Sequence, residues 1–220
     1  MQFEKEIGGI AARGASALVF LWRKVFPPKI GYQLCPSNIL EAVNPYVYKG
    51  KIIELLGQPH SFHGDVAGYR FANALLQINY ENDAVASVTL VATRKWWPNR
   101  FRVFPFDWRV GSTSFAETCE ISGDGTLRLK VENSSKFYTQ WSQQYFGFPG
   151  RYLTYGFAMI EAATFPITQM PQGETEVEES DDVFSRRHNI LRTPETTRFN
   201  AVMVSISEVE YFPFTWSIFS

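Results

Sequence analysis

The chain has 220 residues, of which 45% are hydrophobic and 16% aromatic, and its 21 basic and 22 acidic side chains leave a formal net charge of −1. This much apolar surface excludes a globally disordered chain, and the balanced charge does not call for a strongly charged partner such as a nucleic acid. The two cysteines, Cys35 and Cys119, fit no zinc or redox motif and are typical of a reducing compartment, although a single disulfide between them stays open.

Residues 1–30 predict an N-terminal helix that ends at Pro27-Pro28. Its apolar core, residues 15–22, is too short to cross a bilayer, which takes about 20 apolar residues. Basic side chains flank this core, so residues 10–26 suit a helix that lies in a membrane interface. A helix packed on the domain or on a partner chain, and a truncated anchor, are the alternatives. We therefore expect a cytoplasmic protein that is peripheral to the inner membrane if the interfacial helix is real.

The stretch from Lys51 to Ala92 predicts a short helix followed by three strands. The helix is expected to end at Gly57 in a left-handed cap, because Pro59 cannot continue it. The link at residues 81–83, Glu-Asn-Asp, consists of turn residues that tolerate positive φ. The predicted helix is Lys51–Leu56, and the predicted strands are Val66–Phe71, Leu75–Tyr80 and Ala84–Ala92.

The same stretch resembles the helix-plus-three-strand unit of the SmpA/BamE lipoproteins, a unit that is doubled in β-lactamase inhibitor proteins. The residues that carry the resemblance are Leu56, Gly57, Pro59, Gly68, Tyr69, Phe71, Asp83, Val85, Ser87 and Val88. The resemblance covers residues 51–92 alone. Those families are exported and bind other proteins, whereas this sequence shows no lipobox and no cleavable signal pattern, so the resemblance implies a protein-binding fold and not a role.

The second half of the chain predicts a similar order of elements. Gly111–Glu120 is expected to be a brief helix with a capping box, Ser114 and Glu117, and Asn133–Phe146 a helix with aromatic residues at every fourth position. The remaining predictions are a helix at Cys35–Val43, a hairpin at Ile121–Glu132, a strand at Arg151–Ala162 and a strand in Phe199–Glu210.

These elements predict an α+β fold of antiparallel meander units with short helices. We expect one domain, residues 31–220, with two similar repeats at 37–110 and 111–220. An acidic run followed by a basic run predicts a flexible charged loop over residues 171–198.

Aromatic and cationic side chains alternate between residues 93 and 109. Such interleaving grips nucleotides or single-stranded nucleic acid, and it also fits a strand with aromatic residues inward and arginines outward. The candidate binding residues in this stretch are Lys95, Trp96, Trp97, Arg100, Arg102 and Trp108.

No catalytic motif occurs in the sequence, and we expect no catalytic residues, no cofactor and no metal site. His60, His63 and Asp65 could ligate zinc, but they are better explained as polar loop residues. The predicted function is a non-catalytic protein-interaction module whose partner is another protein, with a membrane surface as a second contact. The alternative is a sensor that binds a nucleotide or single-stranded nucleic acid. A homo-oligomer is compatible with either function.

Overall fold

A computed structural model describes residues 33–93, 100–119, 127–133, 137–148, 151–162, 175–177, 189–193 and 197–219. In these residues the dominant feature is a single antiparallel sheet of ten strands, in the order β1-β2-β3-β4-β10-β7-β6-β5-β9-β8. The strands are β1 Ser61–His63, β2 Val66–Arg70, β3 Ala74–Glu81, β4 Ala84–Ala92, β5 Leu127–Asn133, β6 Phe137–Phe148, β7 Arg151–Ala162, β8 Thr175–Val177, β9 Asn189–Thr193 and β10 Ala201–Ser205. Among the described residues, two α-helices precede the sheet, α1 (Ile39–Ala42) and α2 (Lys49–Leu56).

Strand β10 joins the two halves of the sheet. It pairs with β4 on one side, where Met203 lies opposite Thr89, and with β7 on the other, where Met203 lies opposite Gly156. All five residues of β10 are buried, as expected for a central strand with both faces covered. In the described sheet, strand pairing between the meander β1–β4 and the strands β5–β7 therefore runs through β10.

The two faces of the sheet are covered by different parts of the chain. One face, here called the helix face, packs against α1, α2 and residues 101–115, with Ile78, Leu90 and Phe157 fully buried in its core. The opposite face, here called the strap face, packs against residues 209–219 and contains the fully buried Trp141 and Met203. Because side chains alternate along a strand, neighbouring residues of β3 and β4 belong to different cores.

The helix and the three strands predicted in residues 51–92 are confirmed, whereas β1 was not predicted and the left-handed cap expected at Gly57 is wrong, since Gly57 lies at φ 78° and ψ −168°. Helix α2 begins two residues earlier than predicted, and β2, β3 and β4 match the predicted strands to within a residue at each end. The turn between β3 and β4 places Asn82 and Asp83 at φ 51° and 59°, which is the positive-φ geometry expected of these residue types. The predicted strand at Arg151–Ala162 is also confirmed, as β7.

The predicted fold class is wrong, because the described residues are mainly β and not α+β. In the stretch Asn133–Phe146, predicted as a helix, Asn133 ends β5 and residues 137–146 form most of strand β6, while residues 134–136 lie outside the described part. Gly111–Glu120 contains only a 3-10 turn at Phe115–Glu117, although its predicted capping box is present. The helix expected to open the second repeat is therefore a strand.

Several predictions concern residues outside the described part of the chain. The N-terminal helix at residues 1–30 lies wholly outside it, as does the turn of the hairpin predicted at 121–132, whose second strand is β5. Strands β8 and β9 lie within the predicted charged loop 171–198, whose other residues, apart from 197 and 198, are not described. In the part of the chain that the structure describes, no helix is long and apolar enough to cross a membrane.

Candidate functional site

Residues 206–219, here called the strap, leave β10 and cross the strap face of the sheet. Apart from a 3-10 turn at Trp216–Ile218, the strap forms no regular element and no part of the strand ladder. A tight turn is centred on Pro213, where the Phe214 N–H donates to the Phe212 carbonyl at 2.8 Å. This turn buries Phe212 and Phe214 together against the sheet.

The strap follows a single row of cross-strand neighbours, which we call the strap row. Each member lies directly opposite the next in the strand register, so the row runs from β1 to β6 in sheet order. Its members are Ser61, Gly68, Gln77, Thr89, Met203, Gly156 and Gln143. Four of these members are polar, two are glycines and one is Met203.

The polar members of the strap row bind the main chain of the strap. Thr89 donates its hydroxyl to the Pro213 carbonyl at 2.9 Å, Ser61 donates to the Ile218 carbonyl, and Gln143 accepts the Val209 N–H at 3.3 Å. On β5, outside the row, the Glu132 carboxyl accepts the Phe212 N–H at 2.7 Å. Main-chain groups that would be costly to bury unpaired are therefore satisfied by side chains of the sheet.

Gln77 holds the strap at two points. Its side-chain Nε2 donates to the Pro213 carbonyl at 3.1 Å, and its Oε1 accepts the Thr215 N–H at 2.7 Å. A residue of a neighbouring parallel strand would bind the same pair of groups on either side of Phe214. The buried side-chain amide of Gln77 therefore supplies the two hydrogen bonds that a residue of a neighbouring strand would supply.

The sheet curls around the strap. Strands β4 and β5 are separated by β10, β7 and β6, which in a flat sheet would place them about 19 Å apart. Thr89 on β4 and Glu132 on β5 nevertheless bind adjacent residues of the strap, Pro213 and Phe212. The strap face must therefore be concave, with the strap lying along the bottom of the groove.

Two glycines of the strap row make room for strap side chains. A Cβ on Gly68 would overlap with Cγ2 of Ile218, and it would lie 2.6 Å from the Ser61 hydroxyl. A Cβ on Gly156 would lie 2.8 Å from Met203 Cε and 3.4 Å from the Phe212 ring. The close approach of strap and sheet thus depends on the absence of side chains at these points.

Glu132 is the ionisable group that the strap covers. Burial raises the pKa of its carboxyl, and the Phe212 N–H and the charge of Lys130 offset only part of that effect. The Lys130 ammonium lies 4.8 Å from the centre of the Trp141 ring.

A second surface feature lies beside α2 and is here called the aromatic patch. It comprises Tyr46, Tyr48 and Phe62, which are 54%, 71% and 47% exposed. Lys49 places its ammonium 4.3 Å from the centre of the Phe62 ring, so the helix and strand β1 are in contact there. The segment leading into α2 is fixed to β4, since Tyr46 donates its N–H to the Val85 carbonyl at 2.9 Å.

Of the six candidate binding residues of the 93–109 stretch, the structure describes Arg100, Arg102 and Trp108. Lys95, Trp96 and Trp97 lie outside the described residues, and Arg100 is exposed. Arg102 forms an ion pair with Glu41 at 3.2 Å.

Trp108 belongs to an aromatic cluster on the helix face. Its ring stacks on Phe106 at 4.1 Å and meets the edge of Phe157 at 5.5 Å. These contacts favour the packed interpretation of Trp108, with aromatic side chains inward.

His60 and the two cysteines are explained by local hydrogen bonding and by burial. His60 accepts the Arg70 N–H on Nδ1 at 3.1 Å, and among the described residues no group of three potential ligands could hold a metal ion. Both cysteines are free thiols. Burial raises the pKa of Cys35 to about 12 and also raises that of Cys119.

Sequence reasoning did not find the strap row or the aromatic patch. Gln77, Thr89 and Gln143 were visible only as polar residues in strands or in a predicted helix, and their common row depends on pairings between distant segments. The available signal was the aromatic tail, YFPFTWSIF, which is too apolar to lie free in water.

No family model, no curated protein and no solved structure matches this chain. The resemblance of residues 51–92 to the SmpA/BamE unit therefore stays a prediction.

Proposed function

We propose that this protein is a non-catalytic interaction module that binds a partner protein through the aromatic patch. The observation that carries the proposal is the exposure of three aromatic side chains, Tyr46, Tyr48 and Phe62, on two segments that meet through the contact of Lys49 with the Phe62 ring. Single exposed apolar side chains are ordinary, but grouped aromatic ones are typical of contact surfaces.

The chemistry of the patch suits a protein partner. Tyrosine supplies a large apolar area together with a hydroxyl, and it is enriched among residues that dominate binding energy. Lys49 restrains the Phe62 ring from one side, so less side-chain entropy is lost when a partner covers it. The main chain below Tyr46 and Tyr48 is already ordered by its hydrogen bonds to the start of β4.

The membrane-surface part of the proposal depends on residues 10–26, which the structure does not describe. The nucleotide-sensor alternative receives no support from the described contacts, because Arg102 is ion-paired and Trp108 is packed.

Site-specific photocrosslinking tests the proposal. A benzophenone amino acid replaces Tyr48 in one full-length protein and Tyr145 in a matched control, since Tyr145 is a similarly exposed tyrosine, 59% against 71%, on the opposite face of the sheet. We expect a discrete protein adduct from position 48 only. It should be lost in a Phe62→Ala background and suppressed by excess wild-type protein but not by excess Tyr48→Ala protein.

Equal adducts from both positions, or an adduct that Tyr48→Ala protein suppresses as well as wild type does, would show that the patch is not the binding surface.

A further inference from the structure

We propose that the concave strap face is a peptide-binding groove, that the strap is its tethered occupant, and that the groove accepts in its place an aromatic-proline-aromatic segment of a partner protein. This groove lies on the face of the sheet opposite to α2, so it is a binding site separate from the aromatic patch. Three observations lead to it.

The first observation is the way in which the strap is bound. Gln77, Thr89 and Gln143 form hydrogen bonds with its carbonyl and N–H groups. Hydrogen bonds to the main chain are available to any peptide that follows the same path, as in the recognition of peptides along a sheet edge. The groove therefore recognises a polypeptide, whichever chain supplies it.

The second observation is that buried polar side chains of the groove are matched to a main chain. Gln77 is 2% and Thr89 1% exposed, and a buried amide or hydroxyl is costly unless it is hydrogen-bonded. Apolar side chains at these two positions would remove the hydrogen bonds to the Pro213 carbonyl and the Thr215 N–H. The polar pair therefore holds a polypeptide main chain in one register.

Specificity in the groove comes from the turn at Pro213. Proline fixes φ near the value that the tight turn needs, and the turn directs Phe212 and Phe214 into the sheet together. Phe212 lies over Gly156 and meets Trp141 edge-on at 5.9 Å, while Phe214 stacks on Phe219 at 5.5 Å. A partner segment must therefore offer an aromatic residue on each side of a proline.

The third observation is a release point at the start of the strap. Ser207 and Glu208 are exposed, and the Ser207 N–H bonds only locally, to the Ser205 hydroxyl. The strap can therefore leave the groove by rotation about residues 207 and 208, while β10 keeps its ladder with β4 and β7. Because the strap is tethered, it acts on the groove at roughly millimolar effective concentration and masks it from free peptide.

Peptide binding to the full-length protein tests this proposal. The probe is a fluorescent peptide with the sequence of residues 206–219, and the readout is anisotropy. Two strap variants, Phe214→Ala and Thr215→Pro, weaken the binding of the strap and leave the side chains of the groove unchanged. Phe214→Ala removes an aromatic ring that packs against the sheet, and Thr215→Pro removes the N–H that Gln77 accepts. We expect weak binding to wild type and at least tenfold tighter binding to each strap variant.

A groove variant separates recognition from general loosening. The double variant Gln77→Leu/Phe214→Ala holds the strap no more tightly than Phe214→Ala alone. It also lacks the two hydrogen bonds of Gln77, so we expect it to bind the peptide at least tenfold more weakly than Phe214→Ala does. A probe with Pro213 replaced by glycine should bind more weakly than the parent probe. Tyr48→Ala should leave peptide binding unchanged, so that failure of the groove and failure of the aromatic patch can be told apart.

Hydrogen exchange of the wild-type protein provides the test that needs no variant. The amides of Phe212 and Thr215 should exchange through a local opening, faster than the amides of Val202 and Val204 in β10. Exchange of all four only through global unfolding, loss of the folded state in both strap variants, or no gain in peptide affinity would overturn the proposal. Dimers of wild type that Phe214→Ala abolishes would assign the groove to a second copy of this chain and overturn the partner-protein occupant.

Discussion

The side-chain amide of Gln77, on β3, donates a hydrogen bond to the carbonyl oxygen of Pro213, 136 residues later in the chain, at 3.1 Å. A side chain of the first meander thus helps to hold a segment that follows β10 in the chain. The stability of the strap should therefore respond to changes on distant strands, and the first prediction measures this.

Gly68→Ala is expected to destabilise the fold by about 1–3 kcal/mol, because the new methyl group would overlap with Ile218 and press on the Ser61 hydroxyl. The measurement is the urea midpoint of unfolding. Gly50→Ala is the matched control: Gly50 lies in α2 with nothing within 4 Å of a Cβ, so alanine there should be neutral or stabilising. Equal stability of the two variants would mean that strap and sheet are not closely packed at Gly68.

Gly57→Val and Gly57→Asn should both destabilise the protein by about 1–3 kcal/mol. Gly57 ends α2 at φ 78° and ψ −168°, a region that essentially only glycine occupies, and not in the left-handed cap that the sequence predicts. Asparagine tolerates the left-handed region but not this one, so it should give no rescue. Nothing lies within 4 Å of a Cβ at this position, so the loss measured by urea denaturation reports backbone strain alone. A fully stable Gly57→Asn would contradict this conformation.

The free energy of unfolding of Glu132→Gln should increase relative to that of wild type as the pH rises above the ordinary pKa of glutamate. Burial raises the pKa of the folded-state carboxyl, so the wild-type contribution is complete below the unfolded pKa and is lost as the pH rises through the folded pKa. Glutamine keeps an oxygen for the Phe212 N–H and has no charge to bury. Urea denaturation from pH 4 to pH 8 measures the difference, with the exposed Glu54→Gln as control. A difference that does not change with pH would refute the prediction.

Native protein should resist alkylation by iodoacetamide at pH 8, and Cys35 should react more slowly than Cys119. The thiolate is the reactive form, and burial raises the pKa of Cys35 to about 12. Cys119 is only partly buried, although burial raises the pKa of its thiol too. Mass spectrometry of tryptic peptides gives both rates, and unfolding in urea should make them equal. Fast labelling of native Cys35 would be inconsistent with its buried position.

Deletion of residues 1–28 should leave the body of the protein folded and should abolish binding to anionic vesicles. The described part of the chain begins at Gln33, whose carbonyl accepts the Ala72 N–H, and the ten described strands of the sheet all follow residue 60. Basic side chains near anionic lipid contribute about 1 kcal/mol each, so binding should weaken with salt. Co-sedimentation measures binding, and circular dichroism measures folding. Unfolding of the shortened protein would show that the segment belongs to the core.

The strands that could be predicted are those whose pattern is local. In the meander β2–β4, the turn residues Asn82 and Asp83 separate β3 from β4, and a glycine-proline helix end precedes the first strand. The limits of these strands therefore follow from short-range chemistry.

Strand β6 could not be predicted because its spacing is ambiguous. Phe137, Trp141 and Tyr145 recur at every fourth residue, which approximates one helical turn but is also twice the strand period. Trp141 is buried because its row meets Ala158 of β7 and the strap, and both of those contacts are long-range. For the same reason the strap row could not be recognised, since Ser61 and Gln143 become members of one row only through a chain of strand pairings.

The position of β10 has a consequence for synthesis of the protein on the ribosome. The nascent chain produces β4 and β7 long before residues 201–205, so each of these strands presents an unpaired edge until the linking strand has emerged. Exposed edges of this kind pair readily with other chains, which makes the incomplete polypeptide prone to aggregation and a client for chaperones during translation. Fusion of the two half-sheets thus follows the synthesis of both, and slowing translation should not allow either half to reach its final pairing before β10 has emerged.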